Sequence, residues 1–357
     1  MTKRRAGTKK SVKRWRFAMV LGAFALATLP LPAPLVEQFY SRGLYGFLQP
    51  AITFTSNLAP FAWLDVLAGA VVAVLIVLST RDIARGGWSG LGRAAIRVVV
   101  VSAAIYIAFA LLWGLNYQRE RLPGRLAFDA SAVTPVAATR LATLALDRVN
   151  RLHSAAHSEG WMTGTAIDPA LAGAFDRVSR EIGAMPRGVV VGRPKRSLID
   201  WYFQRAGVAG MTDPLFLETL VAGDLLPFER PMIIAHEWAH LAGLANEGEA
   251  NLAGWLTCAR GSFADQYSGW LFMYDEALQA LPPNDRVPLI RGLGEGPRAD
   301  LNAIRDRSLK HVNPRLSAAG WRLYDSYLKA NRVESGTHSY SEVVRLALGL
   351  EAARAFR

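Results

Sequence analysis

In a chain of 357 residues, 51% hydrophobic residues and a positive mean hydropathy supply apolar surface for a sizeable core and for membrane segments as well. The net charge of +12 is lopsided: residues 1–16 hold eight cations (Lys3, Arg4, Arg5, Lys9, Lys10, Lys13, Arg14, Arg16) and no acid, while the chain from residue 98 onward is nearly neutral. A basic tail that abuts an apolar run, beside a near-neutral main domain, argues against nucleic acid as a partner, and the single cysteine, Cys258, excludes an intrachain disulfide.

Three apolar stretches follow the tail, residues 17–36, 62–78 and 94–113, each close to the ~20 residues that cross a bilayer. Basic residues precede the first, and Arg81, Arg85, Arg93 and Arg97 lie between the second and third, so both flanks are expected on the cytoplasmic side. That orientation puts residues 37–60, and everything after about Asn116, outside. A cleavable signal peptide competes for the first stretch, with Ala25-Leu26-Ala27 ahead of a cut. The two later stretches favour an uncleaved anchor. The expected organisation is a cytoplasmic tail and three-span anchor over residues 1–117, then an extracytoplasmic domain over 118–357 entered through a polar linker at 118–130.

In that domain, Leu141, Leu144, Val149 and Leu152 recur at helical spacing and predict an amphipathic helix over 136–157. His153 and His157 lie four apart near its end with no glutamate between them, and are expected to be exposed or capping. Residues 188–222 are rich in Gly, Pro and β-branched types and predict short strands. The last of these, 216–222, would offer an open edge on which an extended peptide pairs.

Residues 236–240 read His-Glu-Trp-Ala-His. The apolar Met232-Ile233-Ile234-Ala235, Pro231 in the first turn and Gly243 at the end predict a buried helix of about twelve residues around them. Positions four apart share a helix face, so His236 and His240 can grip one Zn²⁺ while Glu237, one residue round, reaches a water beside it. A catalytic zinc usually takes a third protein ligand. Glu247 and Glu249 are both near enough. Asn246 reads as the N-cap of a second helix, which puts Glu249 at the third position of a capping box and leaves Glu247 the favoured ligand. Glu249 then becomes a partner supporting a ligand histidine. Cys258 is expected to be a small buried apolar residue. Residues 268–274 and 323–328 look like helices covering the site, with their aromatics in the core, and Tyr340 or His338 is the candidate for steadying an oxyanion.

The chain resembles an uncharacterised family of bacterial three-span membrane proteins, a domain of unknown function with a zincin-like motif. The resemblance runs through Glu37, Tyr40-Ser41-Arg42-Gly43-Leu44-Tyr45, Pro60-Phe61 and Trp113-Gly114-Leu115-Asn116-Tyr117. It continues through His236-Glu237, His240, Gly243 and Glu247-x-Glu249-Ala250-Asn251, then Tyr267-Ser268-Gly269 and Ser339-Tyr340. The Glu-x-Glu-Ala-Asn element is similar to the Glu-x-Glu-Ala-Asp element of membrane gluzincin peptidases, in which the first glutamate binds zinc. That likeness also favours Glu247. Asn251 stands where those peptidases have aspartate, and the insert between the histidine pair and the glutamate is much shorter than theirs.

Motif and resemblance together predict a mainly α protein, three transmembrane helices followed by a zincin-like α+β metallopeptidase domain with a small sheet. The expected activity is that of a zinc metallopeptidase with Glu237 as general base, anchored in the bilayer of a bacterial inner membrane with its catalytic domain in the periplasm. A zinc hydrolase of a non-peptide envelope substrate, such as a peptidoglycan amide or a lipid-linked group, and a non-catalytic membrane scaffold are the competing expectations.

Overall fold

The computed structural model describes residues 2–330, 342–350 and 353. Helix α1 (Thr2–Thr28) stops short of a proline-rich corner. Pro30, Pro32 and Pro34 lack backbone N–H groups, so the ladder cannot continue through them. After a one-turn α2 (Ala33–Leu35), a wider, π-helical segment (Val36–Leu44) runs into α3 (Tyr45–Asn57), and this pair leaves α1 at an angle of 112°. Helix α4 (Trp63–Leu112) is 50 residues long and carries exposed Val72, Ile76, Val77, Leu91, Val98 and Val99.

The expected three transmembrane helices are therefore corrected. Among the described residues, α4 is the one helix long and apolar enough to cross a membrane, or one of two if the bent pair of α1 and 33–57 counts as a span. Residues 62–78 and 94–113, expected as separate spans, are arms of this one bent helix. The bend is at Gly87, whose φ of 49° and ψ of −127° interrupt the helical path. Asp82 and Arg97 would lie about 22 Å apart along a continuous helix, yet their side chains meet at 2.5 Å. Two arms pack this closely only because Gly90 has no side chain: a Cβ there would fall 2.0 Å from the Asp82 carbonyl oxygen.

Beyond α4 come a 3₁₀ turn (Gly114–Gln118) and α5 (Leu122–Arg125), then α6 (Pro135–Glu159) and α7 (Pro169–Glu181). The last two open alike. Thr134 and Asp168 accept hydrogen bonds from N–H groups of the first turn, and a proline occupies the first helical position. A three-stranded sheet follows, interrupted by α8 (Asp200–Ala206): β1 (Pro194–Lys195) pairs parallel with β3 (Glu218–Val221), and β2 (Gly210–Asp213) pairs antiparallel with β3. The order is β1-β3-β2. The strand expected to present an open edge is thus the central one. That role falls to β2, because β3 spends its backbone groups on both neighbours.

The remaining elements are α9 (Arg230–Leu241), α10 (Glu247–Cys258), α11 (Phe263–Gln279), α12 (Pro283–Arg291), α13 (Glu295–His311), α14 (Pro314–Ala330) and α15 (Val343–Gly349). Helices α9 and α10 form the centre of the core, with Trp238, Trp255 and Trp270 fully buried around them and Cys258 buried among apolar neighbours. A Cβ on Gly254 would press on the His236 backbone at 3.1 Å, so glycine allows α9 and α10 to lie this close.

The segments nearest α4 pack directly on this core. Glu218 accepts hydrogen bonds from Trp63 N (3.1 Å) and Leu64 N (3.2 Å), capping the start of α4 from the central strand, and pairs with buried Lys195 at 2.6 Å. Tyr45, Trp113 and Arg119 donate to the carbonyls of Leu241, His240 and Ala242 at the end of α9. Arg119 is held in turn by Glu37 at 2.6 Å, so hydrogen bonds cross position 117 in several places.

A candidate metal centre between two buried helices

Helix α9 ends in a Schellman turn: Leu244 N donates to Ala239 O and Gly243 N to His240 O. Gly243 takes φ +77°, a conformation open to glycine without strain. The turn aims the Leu244 carbonyl back at His240, whose Nδ1 lies 2.7 Å away. A proton on Nδ1 leaves the Nε2 lone pair facing inward, the tautomer that binds a metal. Asn246 then caps α10 by accepting from Glu249 N at 3.1 Å, and the first residue of that helix, Glu247, points back at α9.

The result is a triangle of donor atoms. His236 Nε2 and His240 Nε2 are 3.1 Å apart, and Glu247 Oε2 lies 3.3 Å from the first and 3.4 Å from the second. Ligands bound at 2.0–2.1 Å to a tetrahedral ion are separated by about 3.3 Å, so the triangle has the size a metal of zinc's radius needs. The chemistry fits as well. Glu247 Oε2 is buried and accepts no hydrogen bond among the described residues, the state of an atom kept for a cation. Burial alone would raise the Glu247 carboxyl, but His240 and His236 outweigh it and hold the group below the usual carboxylate range. Burial likewise opposes charge on His240, and the Glu247 carboxylate overcomes it, lifting the imidazole to about 9. Such a site draws positive charge to its centre.

Glu237 sits one residue round the helix, buried against the edge strand. Thr212 Oγ1 of β2 lies 2.8 Å from Glu237 Oε2 and 2.9 Å from the Glu237 carbonyl. The strand approaches this closely because residue 210 is glycine: a Cβ would fall 2.6 Å from Glu237 Oε1 and 2.9 Å from the Ile233 side chain. Burial raises the affinity of the Glu237 carboxylate for a proton, offset by the two histidines and Thr212.

Of the residues singled out in the sequence, His236, His240, Glu247 and Glu237 come together here. Glu249 does not face the histidines. Two positions beyond Glu247 is about 200° round a helix, and its Oε1 accepts instead from Arg121 Nε at 2.5 Å and Leu122 N at 2.9 Å. Its expected place beside a ligand histidine is thus corrected. Asn251 is buried one turn beyond Glu247 in α10. Tyr340 and His338 lie outside the described residues. The aromatic side chain that does reach the centre is Tyr324 of α14, whose hydroxyl donates to Glu247 Oε1. It belongs to the segment 323–328 expected to cover the site, but it is half-buried against Glu247 and not a core residue. Thr212 and Gly210 carried no signal in the sequence beyond a place in the strand region.

No curated protein and no solved structure matches the chain. The zincin-like fold expected from the motif is accordingly not shown: the motif specifies one helix and its ligands, and leaves the elements around them open. A family model described as "Protein of unknown function (DUF3810)" matches residues 40–348, which takes in α4, the sheet, α9 and α10. The chain belongs to that family.

Proposed function

We propose that this protein is a membrane-anchored zinc metallopeptidase whose hydrolytic centre is His236, His240, Glu247 and Glu237. The observation that carries the reading is the triangle of two imidazole nitrogens and one carboxylate oxygen with 3.1–3.4 Å edges, beside a buried carboxylate one residue round the same helix. Zinc held there would polarise a scissile carbonyl and make a water acidic enough to attack near neutral pH. Glu237 takes the proton of the attacking water and delivers it to the leaving nitrogen, and its raised proton affinity suits a group that must both accept and return. Thr212 fixes that carboxylate against β2, while Tyr324 and the Leu244 carbonyl fix Glu247 and His240. Support for a peptide substrate comes from β2, an edge strand of the described sheet whose Thr212 bonds Glu237.

Attachment to a bacterial cytoplasmic membrane is supported by the exposed apolar face of α4. Helix α1 runs parallel to the second arm of α4, with Gly22 beside Ile107 and Leu31 N bonded to Gln118, so the basic tail and the arginines near Gly87 share one end. The candidate metal centre belongs to the other end, next to Trp113, and the distribution of basic residues favours the non-cytoplasmic side for it. The test is cleavage of a peptide library, set against cell-wall fragments, by purified full-length protein and its His236→Ala variant. Zinc-dependent peptide cleavage lost in the variant is the expected result. Cleavage of the fragments alone, or of neither substrate, overturns it.

A further inference from the structure

Of the two histidines expected to be exposed or capping, His157 is exposed in the last turn of α6 and His153 is half-buried, and both meet an acid. They project from one face of α6 toward α13, where both Nε2 atoms converge on one oxygen of Asp300: His157 at 2.9 Å and His153 at 3.5 Å. Tyr267 of α11 donates its hydroxyl to the same oxygen at 2.5 Å. We infer that His153, His157 and Asp300 form a second binding site for a divalent cation of the zinc class, separate from the catalytic centre.

Three features carry this assignment. The donor set is two imidazoles four apart on a helix and one carboxylate from a neighbouring helix, a set suited to ions of intermediate softness such as zinc, cobalt or nickel. The separations of 2.9 and 3.5 Å bracket the edge of about 3.3 Å between ligands of a tetrahedral ion. The two rings lie only 4.3 Å apart between centroids, a spacing at which two imidazolium cations would repel. Two neutral rings so placed either donate Nε2–H to the Asp300 oxygen, which also accepts from Tyr267, or, with their protons on Nδ1, turn both Nε2 lone pairs toward it and so toward an ion. An ion between them satisfies all three atoms.

The surroundings are shaped for it. His153 occupies the space a side chain at residue 296 would need: a Cβ on Gly296 would lie 2.3 Å from its ring. Asp300 is nearly buried, while His157 has 38% of its side chain exposed, so an ion can enter from the rim. Trp161, Phe228 and Tyr267 wall the site with aromatic rings. No acid occupies the position after His153, which is Ser154, so the site lacks the general base that Glu237 supplies to the other. Its role is to brace α6 against α13.

Metal content of the full-length protein, equilibrated with buffered Zn²⁺ in detergent and desalted, tests this. Wild type should hold two equivalents per chain, and His157→Ala and Asp300→Asn one each, with circular dichroism confirming that each variant is folded. The variant His236→Gln/His240→Gln should also hold one. His157 lies at the rim, so His157→Ala keeps the test valid if Asp300→Asn fails to fold. Unchanged content in a folded His157→Ala protein overturns the proposal. A single wild-type equivalent lost in His157→Ala but kept in His236→Gln/His240→Gln would sustain this site and sink the catalytic one.

Discussion

Two helices of this protein, α9 and α6, each carry a pair of histidines four residues apart, and each pair meets a carboxylate from another helix. Sequence spacing does not distinguish them. Their surroundings do. Around His236 and His240 the carboxylate of Glu247 is buried with one oxygen accepting no hydrogen bond among the described residues, a second acid lies between the histidines, and an edge strand passes alongside. Around His153 and His157 the carboxylate oxygen already accepts a tyrosine hydroxyl, and the position after the first histidine is a serine. The first arrangement provides a ligand set, a proton carrier and a backbone to align a substrate. The second provides ligands only. On the proposed reading, hydrolysis depends less on gripping an ion than on what the helix and its neighbours place one residue away.

The largest effect should come from removing that neighbouring acid. Glu237→Gln keeps the shape of the side chain and lies on no ligand atom, so the protein should retain its metal while turnover falls about 10²–10⁴-fold, the range for a general base. Steady-state hydrolysis together with metal analysis reads both arms, and turnover within tenfold of wild type would erase the distinction drawn between the two clusters. A smaller loss is expected when the acid stays but is moved. In Gly210→Ala the new methyl carbon would stand 2.6 Å from Glu237 Oε1, forcing the carboxylate or β2 aside. Misplacement on the ångström scale costs up to about 10²-fold in rate. The decrease should appear in kcat with metal content unchanged. A kcat equal to wild type would show that the strand does not position the acid.

Next in size is Tyr324→Phe, which deletes the hydroxyl that donates to Glu247 Oε1. Outer partners of metal ligands contribute about 10–100-fold in affinity, so competition with a chelator should show zinc held that much more weakly at the first centre. Affinity indistinguishable from wild type would remove Tyr324 from the site. Tyr324 also marks where the sequence stopped being legible. Ligands on one helix, His236 and His240, follow from period alone, and Asn246 announces the next helix and so the place of Glu247. The capping signals at Thr134, Asp168 and Asn246 are local, and each governs the first turn it precedes. What could not be read are contacts across long separations: Tyr324 on Glu247 over 77 residues, Asp300 on His157 over 143, and Arg121 on Glu249 over 128. The bent course of α4 was hidden for a similar reason. Gly87 and Gly90 look like ordinary residues of a charged loop until the arms they join are seen to pack.

The smallest expected effect concerns α11, which joins α9 to the second cluster: Ser268 Oγ accepts from Met232 N at the start of α9, and Tyr267 reaches Asp300. Asp265 closes the capping box at its N-terminus, with Oδ2 accepting from Ser262 N at 3.0 Å. Burial raises its carboxyl from 3.8 to about 6, aided by Asp168 and Glu159 and opposed by the hydrogen bond from Ser262. The folded protein therefore holds this proton more tightly than the unfolded chain does. The associated stability is complete below about pH 4 and is lost as pH climbs through about 6. A shift of this size corresponds to at most about 3 kcal/mol. Asp265→Asn keeps an oxygen for Ser262 N but cannot ionise, so the fall in thermal stability between pH 4 and 7 should be shallower than in wild type. Part of the slope should remain, because buried Asp213 is raised to about 6 in the same way. An Asp265→Asn profile as steep as that of wild type would mean that the cap is not protonated in the folded protein. The frame around the two histidine clusters would then owe nothing to that proton.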